Sequence, residues 1–225
     1  MMRSRYSVMT AFVMMVLIFT AGNAFAFSFS KDTIEGSGNM ETRELDLKEF
    51  DEIEVGGAFE LEITLGDEQK VLMTIDDNLW DNLEVEVSGS TLEIGWDKSC
   101  DPDGECKVEI VVRELKEMNI HGAAEVEITG YRGDSFDFNV SGAAELEMDG
   151  EVDKLEIHVS GAGEIDTRQL KARSVEISVS GAGEAKVFAS ESFEGRVSGV
   201  GSIDYWGDPE HQKTKVSGLG DINKK

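Results

Sequence analysis

Basic side chains are scarce in this 225-residue chain, where 21 Lys and Arg stand against 46 Asp and Glu for a formal charge of −25. Phosphate backbones repel a polyanion of this strength, and no counterions are released to favour the contact, so nucleic acid is excluded as a partner. Two prolines, two cysteines and three histidines complete the list of scarce residues. With so few, neither a zinc knuckle nor a C-x-x-C redox motif is present. After residue 26 no stretch approaches 18 apolar residues, so no transmembrane segment is expected in the mature chain. Hydrophobic residues still make up 40% of the chain and include 11 Phe, which supplies a core and argues against a disordered acidic tail.

Residues 1–26 differ from the rest. Arg3 and Arg5 precede an apolar run from Ala11 to Phe19, and Ala24-Phe25-Ala26 follows. That order, a basic end, a short apolar stretch and a small-x-small exit, predicts a secretory signal peptide cleaved before Phe27. No Cys follows the run, so a lipid anchor is not expected. The exported part, residues 27–225, reads as one domain destined for the periplasm, the cell envelope or the extracellular space. Both cysteines fall in it and bracket a turn, Cys100-Asp-Pro-Asp-Gly-Glu-Cys106. Outside the cytosol such a pair is expected to form a disulfide that pins a surface loop, contributing about 2 kcal/mol because the loop is short.

One pattern organises the second half. Val140-Ser-Gly-Ala-Ala-Glu-Leu146, Val159-Ser-Gly-Ala-Gly-Glu-Ile165 and Val179-Ser-Gly-Ala-Gly-Glu-Ala185 are its clearest copies, with variants around Gly122, Gly199 and Gly218. The shared glycines, Gly122, Gly142, Gly161, Gly181, Gly199 and Gly218, are spaced by 20, 19, 20, 18 and 19 residues. Between them apolar and polar residues alternate, as in Leu155-Glu-Ile157-His-Val159, which is strand periodicity. A helical repeat needs more than 30 residues, whereas short strands fit about 20 per turn. The prediction is an all-β fold, a β-solenoid (single-stranded parallel β-helix) of about 20 residues per coil with neighbouring coils about 4.8 Å apart. Ile120, Val140, Val159, Val179, Val197 and Val216 then form one core ladder, and Val126, Leu146, Ile165, Ala185, Ile203 and Ile222 another. The six glycines are read as structural corner residues needed for positive φ or for close approach of the coil above. The serines before them, Ser141, Ser160, Ser180, Ser198 and Ser217, are expected to bond turn groups.

The regular repeats span 113–225, and 27–112 reads as larger, irregular β coils. Val55-Gly-Gly-Ala-Phe-Glu-Leu61 matches the corner, and Val87-Ser-Gly-Ser-Thr-Leu92 matches it with one residue missing. These corners, with Phe50-Asp-Glu-Ile-Glu-Val-Gly-Gly-Ala-Phe-Glu-Leu61 and Asp77-Asn-Leu-Trp80 before them, resemble the bacterial family called putative auto-transporter adhesin, head GIN domain. The resemblance covers roughly Phe50 to Ile222. It implies a secreted or envelope-associated β-helical domain of no established activity. No β-barrel of the kind with which an autotransporter displays itself is expected among these residues.

Beyond each corner stand two acidic rows: Glu125, Glu145, Glu164, Glu184, Ser202 and Asp221, then Glu127, Glu147, Asp166, Lys186, Asp204 and Asn223. They read as a solvated wall, with Ca²⁺ bridging between rungs as the sharper alternative. Asp97, Asp101, Asp103 and Glu105 surround the cysteine loop without the EF-hand spacing. His121, His158 and His211 occupy different repeat positions, although His121 should neighbour Ser141 one coil away. Trp80, Trp96, Trp206, Tyr131 and Tyr205 are candidates for a sugar-stacking strip, with Tyr205-Trp206 the first choice for an exposed contact. Lys224-Lys225 is consistent with capping of the last strand by charge. The expected function is a non-catalytic envelope module, adhesin-like or scaffolding, that contacts protein or glycan. It has no catalytic residues, cofactor or metal, and the alternative is a Ca²⁺-dependent carbohydrate-active enzyme or lectin.

Overall fold

The structure, a computed structural model, describes residues 33–225, and the expected signal peptide lies outside them. Among the described residues there is no α-helix, only the 3-10 turn Trp80–Asn82 and strands. The strands are β1 (Ile34–Glu35), β2 (Met40–Leu45), β3 (Glu52–Gly56), β4 (Ala58–Leu65), β5 (Lys70–Asp76), β6 (Leu83–Ser88), β7 (Thr91–Trp96), β8 (Cys100–Asp101) and β9 (Lys107–Val112). The chain continues through β10 (Glu117–Ile120), β11 (Ala123–Val140), β12 (Ala143–Val159), β13 (Ala162–Val179), β14 (Ala182–Val197), β15 (Val200–Trp206), β16 (His211–Val216) and β17 (Leu219–Lys224).

From β10 onward the chain is a β-solenoid. Each of β11 to β13 pairs in parallel with the next over nearly its whole length, which sets residues about 20 apart side by side, and β14 divides its length between β15 and β16. Val140 lies beside Val159, Val159 beside Val179 and Val179 beside Val197, all at most 2% exposed. Val126, Leu146, Ile165, Ala185 and Ile203 form the second buried ladder. Burying a Val, Leu or Ile side chain is worth roughly 1.5–3 kcal/mol, and no coil could bury its apolar edge without its neighbours.

The corners are stitched by the coil below. The Ser160 and Gly161 N–H groups both donate to Val140 O, at 2.8 and 3.3 Å, and Ala162 N–H donates to Gly142 O at 2.9 Å. The Ser160 hydroxyl adds a bond to Val140 O at 3.1 Å. Of the two reasons expected for glycine at the corners, positive φ is not the one, since Gly122, Gly142, Gly161, Gly181, Gly199 and Gly218 do not adopt it. Close approach is. A Cβ on Gly161 would stand 1.9 Å from Gly142 O, and one on Gly181 would stand 1.9 Å from Gly161 O, both backbone atoms with nowhere to go.

In the irregular part, β3 and β4 form the first coil, stacked directly under β10 and the start of β11. Gly57 therefore lies beneath Gly122, whose Cβ would meet Gly57 O at 2.0 Å. Val87-Ser-Gly-Ser-Thr-Leu92 is not a corner of the stack. It is the turn of the antiparallel β6–β7 hairpin, with Gly89 at φ +65° and open space around it. A Ser-Gly pair suits a hairpin turn as well as a solenoid corner, so the two look alike in sequence. β5 is likewise antiparallel, to both β2 and β9.

No bridge joins Cys100 and Cys106, where a disulfide was expected; both are free thiols. The loop is tied down by other means. β8 pairs with β1, and the fully buried Asp76 carboxylate accepts the N–H groups of Gly38 at 2.6 Å and Asp103 at 3.1 Å. The Asn78 side chain closes the same region by donating to Glu35 O and accepting from Ser37 N–H.

Candidate functional site

The two acidic rows stack in register. Glu125, Glu145, Glu164 and Glu184 follow one another, and so do Glu127, Glu147, Asp166 and Lys186. Burial and then the charges of Glu125, Glu164 and Glu147 raise the Glu145 pKa, the sign expected where like charges crowd. Cations blunt the wall in places, as where Lys186 Nζ pairs with Glu184 at 2.9 Å. Among the described residues no group of three or more His, Cys, Asp or Glu is placed to hold a metal ion.

His121 does meet Ser141, with Nδ1 3.0 Å from Oγ, and Glu54 stands on its other side at 3.4 Å from Nε2. Glu54 was not foreseen, since 65 residues separate Gly57 from Gly122. The corner N–H groups beside this line of acid, base and hydroxyl are taken up by the coil below. The Ser141 and Gly142 N–H groups are committed to Ile120 O, and Ala143 N–H to Gly122 O. The Ser141 hydroxyl itself leans on Ile120 O at 3.4 Å, a structural use repeated at Ser160 and Ser180.

The aromatic candidates do not form a strip. Tyr131 is buried, its hydroxyl shared between Leu115 O and Ser135 O, and Tyr205 stacks on Phe193 inside the solenoid. Trp96 stacks on Phe59, and Trp80 lies under the Arg43 guanidinium. Trp206 keeps part of its surface, with the Arg168 guanidinium 5.6 Å from its ring centre.

One surface feature escaped the sequence reading. On the side of the coils away from the corner, Arg132, Asp134, Glu151, Val152, Asp153, Lys171, Arg173, Phe188 and Ser190 line an open groove of ≈ 740 Å³. Arg132, Glu151 and Lys171 occupy one register row across three coils. Arg173 reaches Glu191 at 2.8 Å and Asp153 at 3.4 Å, which holds its guanidinium at the rim. Three cations here balance three carboxylates, in a chain whose total is −25. The volume lies in the range of ligand clefts, and the four coils that contribute run roughly 14 Å along the stack. The cations lie outside the repeated motif, so no spacing announced them.

Fold and surface together define an acidic β-solenoid with side faces open along the stack. The chain belongs to the family described as putative auto-transporter adhesin, head GIN domain, whose profile matches residues 49–209. Among solved structures, a putative adhesin from Bacteroides fragilis NCTC 9343 is 25% identical with a TM-score of 0.69, covering 85% of this chain and 100% of its own. A putative lipid binding protein from Parabacteroides distasonis ATCC 8503 is 28% identical with a TM-score of 0.56, covering 86% of this chain and 99% of its own. A putative adhesin from the same organism, 18% identical with a TM-score of 0.51, covers 86% of this chain and 100% of its own and shares the fold. No curated protein matches the chain. Among the described residues no helix is long and apolar enough to cross a membrane.

Proposed function

We propose that the chain is exported by its N-terminal leader and serves in the cell envelope as a non-catalytic, adhesin-like module that grips an extended, negatively charged glycan. The observation that carries this reading is the groove, where Arg132, Lys171 and Arg173 offset Asp134, Glu151 and Asp153 beside the partly exposed Phe188 ring, a locally neutral stretch on an acidic protein. Carboxylate or sulfate groups on a polymer would meet Arg132 and the Arg173 Nη2 donors that Glu191 and Asp153 leave unused, while the Phe188 ring offers an apolar surface to a sugar face. A groove open along four coils suits a chain better than a small metabolite. Family membership and the adhesin names of its structural neighbours point the same way.

The test is binding of the immobilised chain to a uronate-bearing polysaccharide and to a neutral one of similar length. Preference for the charged polymer, reduced at least tenfold by Arg132→Glu with Arg173→Glu and weakened by salt, is the expected result. Equal binding of both polymers, or binding that ignores the two substitutions, would contradict the reading.

A further inference from the structure

The two ends of the stack are chemically unlike. At the N-terminal end the outermost strands are β6 and β2, each paired on one side only. β6 presents Glu84 and Glu86 with half-buried Leu83, Val85 and Val87 beside them, and β2 presents Met40, Thr42, Arg43 and Glu44, with Arg43 paired to Glu41 and Glu44 to Lys70, so among the described residues the unpaired carboxylates of these two strands are those of β6. At the other end β16 and β17 likewise have one partner each, β14 and β15. This final coil lies beyond residue 209, where the family match stops. From His211 on it carries Lys213, Lys215, Lys224 and Lys225 against Asp221. Lys213 pairs with Glu194, Lys224 with Asp208 and Lys225 with Asp204, while Lys215 makes no ion pair among the described residues.

The last coil also leaves the core uncovered. Val216 occupies the ladder position at which Val140, Val159, Val179 and Val197 are buried, yet it is 44% exposed. Leu219 (79%) and Val200 (59%) are exposed as well, at the corner position that Ala123, Ala143, Ala162 and Ala182 hold unburied in the earlier coils. The large exposed hydrophobics among the described residues are these three and Met40: Met40 on the outermost strand of one end, Val216 and Leu219 on the last coil of the other, and Val200 one coil further in. A partner for the last coil has to bring free strand edges, an apolar side chain to cover Val216, and carboxylates for Lys215 and for the Lys213 side chain, which stays 71% exposed beside Glu194.

The N-terminal end of another copy supplies all three, and we infer that the protein associates with itself head to tail, β16–β17 of one copy docking on the β6 and β2 edges of the next. Charge sets the polarity. Two C-terminal ends would oppose lysine to lysine and two N-terminal ends glutamate to glutamate, while the mixed contact pairs Lys213 and Lys215 with Glu84 and Glu86. A heterologous contact of this kind does not close on itself, so it builds linear rows rather than a fixed dimer. The inference uses the ends of the stack and stands apart from the groove on its side.

Sedimentation velocity on the purified full chain, from about 1 to 200 µM in 20 mM and in 500 mM NaCl, tests it. Expected is a concentration-dependent series extending past the dimer at low salt that shortens at high salt. Lys213→Glu with Lys215→Glu, and separately Glu84→Lys with Glu86→Lys, should each weaken association at least tenfold. Mixing the two variants should restore it, because a reversed tail then meets a reversed head. All four positions are exposed, and unchanged circular dichroism melts show that the variants fold. A monomer under all conditions, a species that stops at the dimer, or association indifferent to both variants and to their mixing would overturn the inference.

Discussion

In the regular coils the corner and core residues mostly meet their own kind about 20 positions away, whereas in residues 33–112 several strands reverse and meet neighbours of unlike type. β12 lies between two near-copies of itself, but β5 runs antiparallel between β2 and β9. The coils are held by repetition, many small equal contacts shared among rungs. The N-terminal part is held by particular side chains, Asp76 and Asn78 above all, that have no counterpart elsewhere. Repetition leaves stability diffuse and makes the backbone spacing intolerant; individual anchors do the reverse.

The sharpest break of that contrast is at the glycines. Gly161→Ala forces a Cβ to within 1.9 Å of a backbone oxygen and should cost about 3 kcal/mol or more, read as a loss of melting temperature or of folded yield. Gly89→Ala, in the irregular part with open space around it, should cost only about 1–2 kcal/mol for its left-handed backbone. Next is the anchor: Asp76→Ala strands the buried N–H groups of Gly38 and Asp103, at about 1–3 kcal/mol each. Hydrogen exchange should quicken around residues 33–40 and 97–106 and stay unchanged in β12 and β13.

A smaller effect belongs to the coils. Asp137 stands beside Glu156, and burial followed by a hydrogen bond with Glu156 pushes its pKa up to about 6, while Lys154 keeps Glu156 low. An acid whose folded pKa exceeds its unfolded value holds its proton more tightly when folded, so stability falls as pH rises from about 4 to about 6. Solvent screening limits the loss to about 1 kcal/mol, or 2–4 °C. Asp137→Asn should flatten this part of the melting profile against pH and raise the melting temperature at pH 7. The smallest concerns the thiols. Burial pushes Cys106 up to about 12, so iodoacetamide at pH 8 should label the more exposed Cys100 well before it. Equal labelling would mean that the loop is looser than its Asp76 anchor implies.

The same contrast explains what the sequence disclosed. The coils were legible because the Val-Ser-Gly corner recurs with strand alternation between copies, and even the meeting of His121 with Ser141 follows from one coil step. Glu54 was not legible beside them, since the step from the first coil to the second passes through a hairpin and two reversals. Val87-Ser-Gly-Ser misled because a residue pair that makes a corner also makes a hairpin turn. Arg132, Lys171 and Arg173 stayed hidden because the groove is built on the non-repeating side of each coil, where no motif marks the register.

That register is open to direct measurement. In a chain whose own cysteines are replaced by alanine, Glu145→Cys with Glu164→Cys places two thiols on adjacent rungs about 4.8 Å apart, within disulfide reach. Glu145→Cys with Asp166→Cys sets them two residues out of step, roughly 8 Å apart and beyond it. Mild oxidation should close the first pair quickly in the folded protein and leave the second open; comparable rates for both, or no closure of the first, would contradict the stacked-coil account.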